Sequence, residues 1–249
     1  MDSFVVADLS NSFTKLALAT TTLLKGETRK LPTTEVNPES LTETSSDWSF
    51  DRVFLVSVVP EKTTAFETSF GDRLTIIDHT SDLGIGVEFP ERSRIGGDRL
   101  ANSVALAELY GFPGVVVDFG TAVTFDIVDG DRNYVGGVIA PGLSAMTDYL
   151  HERTALLPKI ELQPPQSVIG KSTEEAMLSG AFHGYYGLVQ NILGRVREAV
   201  ASDTQPLRVI ATGGYAALLH DGIPDIEEVN PNLTLEGVRI VAARAIRCS

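Results

Sequence analysis

The chain has 249 residues, of which 43% are hydrophobic and 21% charged, with a net charge of −13 and a single cysteine. This is enough chain for one large domain or two smaller ones around a hydrophobic core. The acidic balance and the lack of a basic stripe exclude phosphate-backbone binding as a main activity, and no apolar run approaches the roughly 20 residues of a membrane-spanning helix.

In chain order, residues 3–9, 12–19 and 26–34 read as strands, and "RVFLVSVV" (52–59) as a buried strand bounded by Pro60. Asp2 and Asp8 flank the first apolar run, which is not the basic start of a secretory signal. The segment "PEKTTAFETSFG" suits a helix with proline in its first turn and a stop near Gly71. A short strand (73–78) and a polar, glycine-containing stretch (79–97) follow; "ETSSD" (43–47) reads as a polar loop. "DRLANSVALAELYG" is an amphipathic helix ending at Gly111.

After Pro113 the pattern restarts. "GVVVDFGTAVTFDIVDGDRNYVGGVIAPG" reads as strand, Gly-Thr turn, strand, Asp-Gly turn and strand. Helices are expected over about 142–156 and 173–201, then a strand (207–214), a short helix and a final helix over 233–247. "VVADLSNSFTKLALA" and "VVVDFGTAVTFDIV" share one order: apolar run, acid, apolar residue, small and polar residues, second strand. This internal repeat implies two similar domains, residues 1–112 and 113–249, on either side of a cleft.

Several segments carry chemistry. In "DFGTAVTFD", Asp118 ends a strand and Gly120-Thr121 forms a tight turn that suits phosphate oxygens; a plain hairpin is the alternative. In "GGDRL", Gly96 and Gly97 allow close backbone approach, Asp98 can serve as a base and Arg99 can grip an anion. The competing reading makes Asp98 an acid favoured by the helix dipole. "GKST" (170–173) is not a P-loop, because the first glycine of that motif falls at Pro165. Ser172 or Thr173 instead starts a helix, with Glu175 available for capping. The histidines are dispersed and have no cysteine partners, so zinc has no support. Cys248, the only cysteine, excludes an intrachain disulfide and points to a cytoplasmic location.

Taken together, "DLSNS", "GGDR", "DFGTAVTFD", "GGVIAPG", "GKSTEEAMLSG", "ATGGYA" and "LTLEG" resemble the type III pantothenate kinase family. The resemblance runs over nearly the whole chain, and its most specific part is the block "DFGTAVTFD…GGVIAPG". It implies an α/β fold of the actin and acetate-and-sugar-kinase superfamily, with two ribonuclease-H-like domains flanking a nucleotide cleft. It also implies ATP-dependent phosphorylation of pantothenate in the first step of coenzyme A synthesis, with Mg²⁺ and a monovalent cation, K⁺ or NH₄⁺.

Carried over by position, the turn Asp8, Leu9, Ser10, Asn11, Ser12, Phe13, Thr14 and Lys15 would wrap ATP phosphates, and Thr121 would contact ATP. Asp118 would ligate the monovalent cation. Gly96, Gly97, Arg99 and Thr173 would lie against pantothenate, with Asp98 taking the proton of its primary hydroxyl. The resemblance also implies a homodimer with substrate sites near the interface. Phosphoryl transfer needs chiefly positioning and charge neutralisation, which backbone amides and cations supply, so no covalent nucleophile is required.

Two departures stand out. The family's D-x-G-N-T is Asp8-Leu9-Ser10-Asn11-Ser12 here, and a serine forced to positive φ at position 10 costs about 1 kcal/mol. The tyrosine that usually contacts substrate has no counterpart by spacing: counting back from Pro90 reaches Val87, and counting back from Asp98 reaches Phe89. The alternatives are a relative with weakened catalysis that acts as a regulatory or binding protein, and a kinase of the same superfamily with another hydroxylated substrate.

Overall fold

The computed structural model describes residues 3–202 and 204–247. Cys248 lies outside them. The elements in chain order are β1 (Phe4–Leu9), β2 (Phe13–Ala19), β3 (Leu24–Pro32), α1 (Pro38–Thr44), β4 (Val53–Ser57), α2 (Pro60–Phe70), β5 (Leu74–Ile76), β6 (Gly86–Val87) and α3 (Gly97–Leu109). They continue with β7 (Gly114–Phe119), β8 (Ala122–Val128), β9 (Asn133–Pro141), α4 (Ala145–Arg153), α5 (Thr173–Val200), β10 (Arg208–Thr212), α6 (Ala216–Leu219), β11 (Glu228–Val229) and α7 (Leu233–Arg247). The chain divides into two compact units: Met1–Gly111 with Arg132–Val135 and Asn232–Ser249, and Phe112–Asp131 with Gly136–Pro231.

In the first unit the strand order is β3-β2-β1-β4-β5. β1 runs antiparallel to β2 and parallel to β4, which is parallel to β5. β1 is buried along its whole length, as expected of a central strand covered on both faces. Its side chains alternate between two cores. Val5, Ala7 and Leu9 join Val53 and Leu55 of β4, Leu41 of α1 and Phe66 of α2. Phe4 and Val6 join Phe54 and Val56, Leu100 and Val104 of α3, and Leu235 and Val238 of α7. Asp8 continues the second of these rows, on the α3 side of the sheet.

The final helix follows the second unit in sequence but packs with the first. A Cβ at Gly237 would lie 1.9 Å from the Ala101 carbonyl oxygen of α3, so only glycine allows the two backbones this close. Thr234 Oγ1 donates to Asn102 Oδ1 at 2.8 Å across the same contact. β6 pairs in parallel with Asn133 and Tyr134 at the start of β9, residues that group with the first unit.

The second unit repeats the plan. β7 is antiparallel to β8 and parallel to β10, which is parallel to β11, and the order β11-β10-β7-β8-β9 reads as the first sheet does from its other edge. Val115, Val117 and Phe119 of β7 pack with Phe125 of β8 and with Phe182, Tyr185, Val189 and Leu193 of the long helix α5. Asp118 therefore faces away from that core, on the side of its cross-strand partner Thr124.

Two local expectations are altered, and a third is met. Residues 38–44 form a helix instead of leading into a loop: Asn37 accepts from the Ser40 amide at 2.9 Å, and Pro38 occupies the first turn. The fourth helix is shorter, Ala145–Arg153, because Pro141 and Gly142 belong to the strand end and the turn before it. α5 starts at Thr173 with Ser172 as its cap, Ser172 Oγ accepting from the Glu175 amide at 3.1 Å.

Candidate active site

In the first unit, the C-terminal ends of β1 and β4 and the start of α3 meet. Asp8 is nearly buried, 6% exposed, and lies in register with Val56 of β4 and with Lys15 of β2. A Cβ at Gly97 would lie 3.3 Å from Val56 Cβ and 2.9 Å from the Ile77 carbonyl, so glycine lets α3 start against the strand that neighbours β1. A Cβ at Gly96 would lie 2.4 Å from Asp98 Oδ1: the Asp98 carboxylate folds back over that glycine. Asp98 Oδ1 accepts the Arg99 amide at 2.8 Å. The N-cap of α3 is Gly96, with no side-chain capping bond, and Asp98 lies in the first turn, where the helix dipole also favours an acid. Burial pushes the Asp98 carboxyl above the ordinary carboxylate range, against the opposing pull of the Arg99 amide and guanidinium.

The turn between β1 and β2 is tied down from β3. Ser10 Oγ donates to Asp8 Oδ1 at 2.7 Å, and Thr33 Oγ1 donates to the Ser10 carbonyl at 2.6 Å. Ser10 does not have positive φ; among the described residues Arg132 is the one non-glycine that does. The backbone strain expected of a serine at this position is therefore absent. Not every residue of the turn offers a side chain. Leu9 is fully buried in the core below the sheet, and Thr14 is buried with its hydroxyl 3.1 Å from that of Thr33. Asn11, Ser12 and Phe13 are exposed, and Lys30 Nζ lies 3.6 Å from the centroid of the Phe13 ring.

In the second unit the corresponding strand end gathers three glycine segments. Asp118 is in register with Thr212 at the end of β10. Gly213 follows with φ +94°, and a Cβ there would lie 2.5 Å from Asp118 Oδ1 and 2.6 Å from the Phe119 backbone. Gly142 donates to the Thr121 carbonyl at 3.1 Å, and its Cβ would lie 2.3 Å from that oxygen. "DFGT", "APG" and "TGG" thus form one crowded backbone cradle beside a carboxylate, with Thr121 exposed at its rim. Among the described residues no three or more His, Cys, Asp or Glu side chains cluster to hold a metal. One carboxylate among backbone carbonyls is a donor set for a weakly held hard cation, not for zinc.

Comparison with known proteins gives this geometry its context. The family model described as type III pantothenate kinase matches residues 4–195. The type III pantothenate kinase of Methylacidiphilum infernorum is 44% identical over 246 residues, covering 98% of this chain and 89% of that protein. That of Akkermansia muciniphila is 45% identical over 240 residues, covering 96% and 98%. The chain belongs to the type III pantothenate kinase family.

Solved structures agree on the fold. A ROK hexokinase from Thermus thermophilus matches with a TM-score of 0.52 at 12% identity, over 99% of this chain and 100% of that one. A Baf family protein from Campylobacter jejuni, described as a transcriptional activator, matches with a TM-score of 0.66 at 17% identity, over 98% and 99%. The chain shares its fold with these proteins.

Two site features of this kinase escaped sequence reasoning. The Arg99 guanidinium lies over the Tyr134 ring at 5.8 Å, and Tyr134 in turn contacts Phe89 at 6.3 Å between centroids. Spacing from "GGDR" could reach Phe89 but not Tyr134, which the β6–β9 pairing delivers from a distant strand. Thr33 is the second; nothing in its local sequence marks it. Thr173, by contrast, stands exposed at the first position of α5, a few residues after the exposed Val168 and Ile169.

Proposed function

We propose that this member of the pantothenate kinase family transfers the γ-phosphoryl group of ATP to the primary hydroxyl of pantothenate, the first step of coenzyme A synthesis, with Asp98 as the proton acceptor. The observation that carries the assignment of roles is the placement of Asp98. It lies at the start of a helix that Gly97 brings against Val56 of β4, on the sheet face to which Asp8 of the neighbouring strand also points. In the transfer, the hydroxyl oxygen bonds to the γ-phosphorus, the bond to the bridging oxygen breaks, ADP leaves, and the hydroxyl proton passes to an Asp98 oxygen. A carboxylate whose proton affinity is raised by burial is a better acceptor than an ordinary aspartate. Arg99 and the N-terminal amides of α3 supply positive potential beside it, offsetting the repulsion an acidic protein exerts on anionic substrates.

The turn Asp8–Lys15 is assigned to the ATP phosphates, and Thr121 with the glycine cradle of the second unit to the nucleotide. Asp8 is assigned to Mg²⁺, which, when bound, would neutralise phosphate charge. Asp118 is assigned to the monovalent cation. Gly96, Gly97, Arg99 and Thr173 are assigned to pantothenate.

A homodimer is supported by the large apolar side chains that the second unit exposes over residues 139–169: Ile139, Tyr149, Leu156, Val168 and Ile169, with Leu156 90% exposed. Residues 154–172 of this stretch have no helix or strand, and long irregular segments in compact folds are usually functional. Thr173 adjoins them, consistent with a substrate site near the subunit interface. The lone cysteine supports a cytoplasmic location. The absence of positive φ at Ser10 speaks against one ground for a catalytically weakened relative, backbone strain in that turn.

The test is ADP release by purified protein with ATP, Mg²⁺ and K⁺, with and without pantothenate. Pantothenate-dependent release is expected. Nucleotide binding without turnover, or turnover only with another alcohol, would overturn the reading.

A further inference from the structure

We infer that Thr33 is a positioning residue for nucleotide binding: it clamps the β1–β2 turn so that the turn's outer side is preset for phosphate. The inference rests on the assignment of that turn to ATP. Thr33 lies just past β3 and is 3% exposed. Its hydroxyl donates to the Ser10 carbonyl at 2.6 Å, and its amide donates to the Ser12 carbonyl at 3.0 Å. A hydroxyl has one proton, so the 3.1 Å contact with Thr14 Oγ1 is a bond that Thr14 donates and Thr33 accepts. Every hydrogen-bonding capacity of this buried residue that points at the turn is thus spent on holding it.

The consequence is directional. A trans peptide sends its N–H opposite to its carbonyl. With the Ser10 carbonyl held toward Thr33, the amide of exposed Asn11 points to the outer side of the turn. A peptide flip there would break the Thr33 bond and present a carbonyl oxygen to an anion, which repels it. The Ser10 hydroxyl meanwhile fixes one oxygen of Asp8 at 2.7 Å. Behind Thr33 the brace continues: Lys62 Nζ of α2 donates to the carbonyls of Thr34 and Val36, both at 3.0 Å. Preset amides bind phosphate without first being ordered, which is where the affinity is gained.

The experiment compares Thr33→Val, Thr33→Ser, Asp8→Asn and Val53→Ala. Two readouts are taken: KM for each substrate, and the concentration of the non-hydrolysable analogue AMP-PNP, with Mg²⁺, that half-maximally raises the melting temperature. Loss of one buried hydrogen bond that orients the site is expected to raise both ATP-side constants about tenfold in Thr33→Val, with KM for pantothenate unchanged. Thr33→Ser, which keeps the hydroxyl, restores them. Val53→Ala, in the same core as Leu9 but at the far end of β4 from the turn, lowers the melting temperature without moving either ATP-side constant. Thr33→Ala replaces the valine variant if that does not fold. The clamp is overturned if Thr33→Val leaves both ATP-side constants within twofold of wild type while Asp8→Asn raises them. If Asp8→Asn leaves them unmoved as well, the turn does not carry the phosphates and the clamp falls with that assignment.

Discussion

Replacing Ser10 with glycine is expected to harm this protein. Ser10 does not sit at positive φ, so glycine relieves no strain. The side chain removed donates a hydrogen bond at 2.7 Å to the carboxylate of Asp8, which is only 6% exposed. A hydrogen bond to a charged, largely buried group contributes roughly 1.5–3 kcal/mol. The added backbone freedom of glycine in the unfolded chain costs about 0.5–1 kcal/mol more. Taking the lower part of the first range because Ser10 itself is half-buried, the sum is about 2–3 kcal/mol, a drop in melting temperature of roughly 4–12 °C for a chain of this size. Ser10→Ala separates the two contributions, since it loses the hydroxyl without the added freedom. It should melt above the glycine variant by the smaller amount and below wild type by the larger. Thermal unfolding followed by circular dichroism gives the order, and KM for ATP measured alongside should rise in both variants. If Ser10→Gly melted at or above wild type and turned over faster, the turn would be strained after all and the hydrogen-bond argument refuted.

Asp98→Asn should reduce kcat by about 10²–10⁴-fold, the usual worth of a positioned base, while AMP-PNP still protects the protein against thermal unfolding. Its folded pKa is raised, so the ionised carboxylate opposes folding once pH exceeds that value and not below the unfolded value near 3.9. The asparagine variant should therefore melt at or above wild type at pH 7, with the difference closing as pH falls toward 4; a marked loss at pH 7 would favour the helix-dipole reading of Asp98. Gly213→Ala should weaken activation by K⁺, read as a higher half-maximal concentration, because its Cβ would lie 2.5 Å from Asp118 Oδ1 at φ +94°. An unchanged K⁺ dependence would detach Asp118 from the cation. Tyr185→Phe should raise the melting temperature by a few degrees with kcat unchanged. Its buried hydroxyl has no hydrogen-bond partner among the described residues, and such a group costs about 1–3 kcal/mol; a lower melting temperature would mean the hydroxyl is satisfied.

What was legible in the sequence was whatever local pattern encodes. The fully apolar runs of β1 and β7 mark central strands, and the acid that ends each run marks where the core gives way to a site. The shared order of the two hairpins is matched by two sheets with the same strand directions. The period of two was also sufficient to sort the first turn: counting from Phe4 puts Asp8 on the α3 face and Leu9 on the other, so a role for the Leu9 side chain was excluded by arithmetic. Short α1 was marked by Asn37-Pro38, but its reciprocal partner at the third position is serine, not the glutamate a capping-box search seeks.

What stayed hidden depends on pairs distant in sequence that no local pattern encodes. α7 belongs with the first unit because Gly237 admits the Ala101 carbonyl, a fact visible only once the two helices cross. Tyr134 reaches Arg99 through β6, a strand of two residues. Thr33 holds a turn 21 to 23 residues earlier through one hydroxyl and one amide. These hidden residues share a character. The motif residues are those a ligand would touch, and they are small, acidic or basic at turns where chemistry demands them. The residues that hold the motifs in place are buried hydroxyls and rings, chemically ordinary in sequence and set apart only by what they bond. A change among them is expected to alter the site's affinity without touching any motif by which the family is recognised.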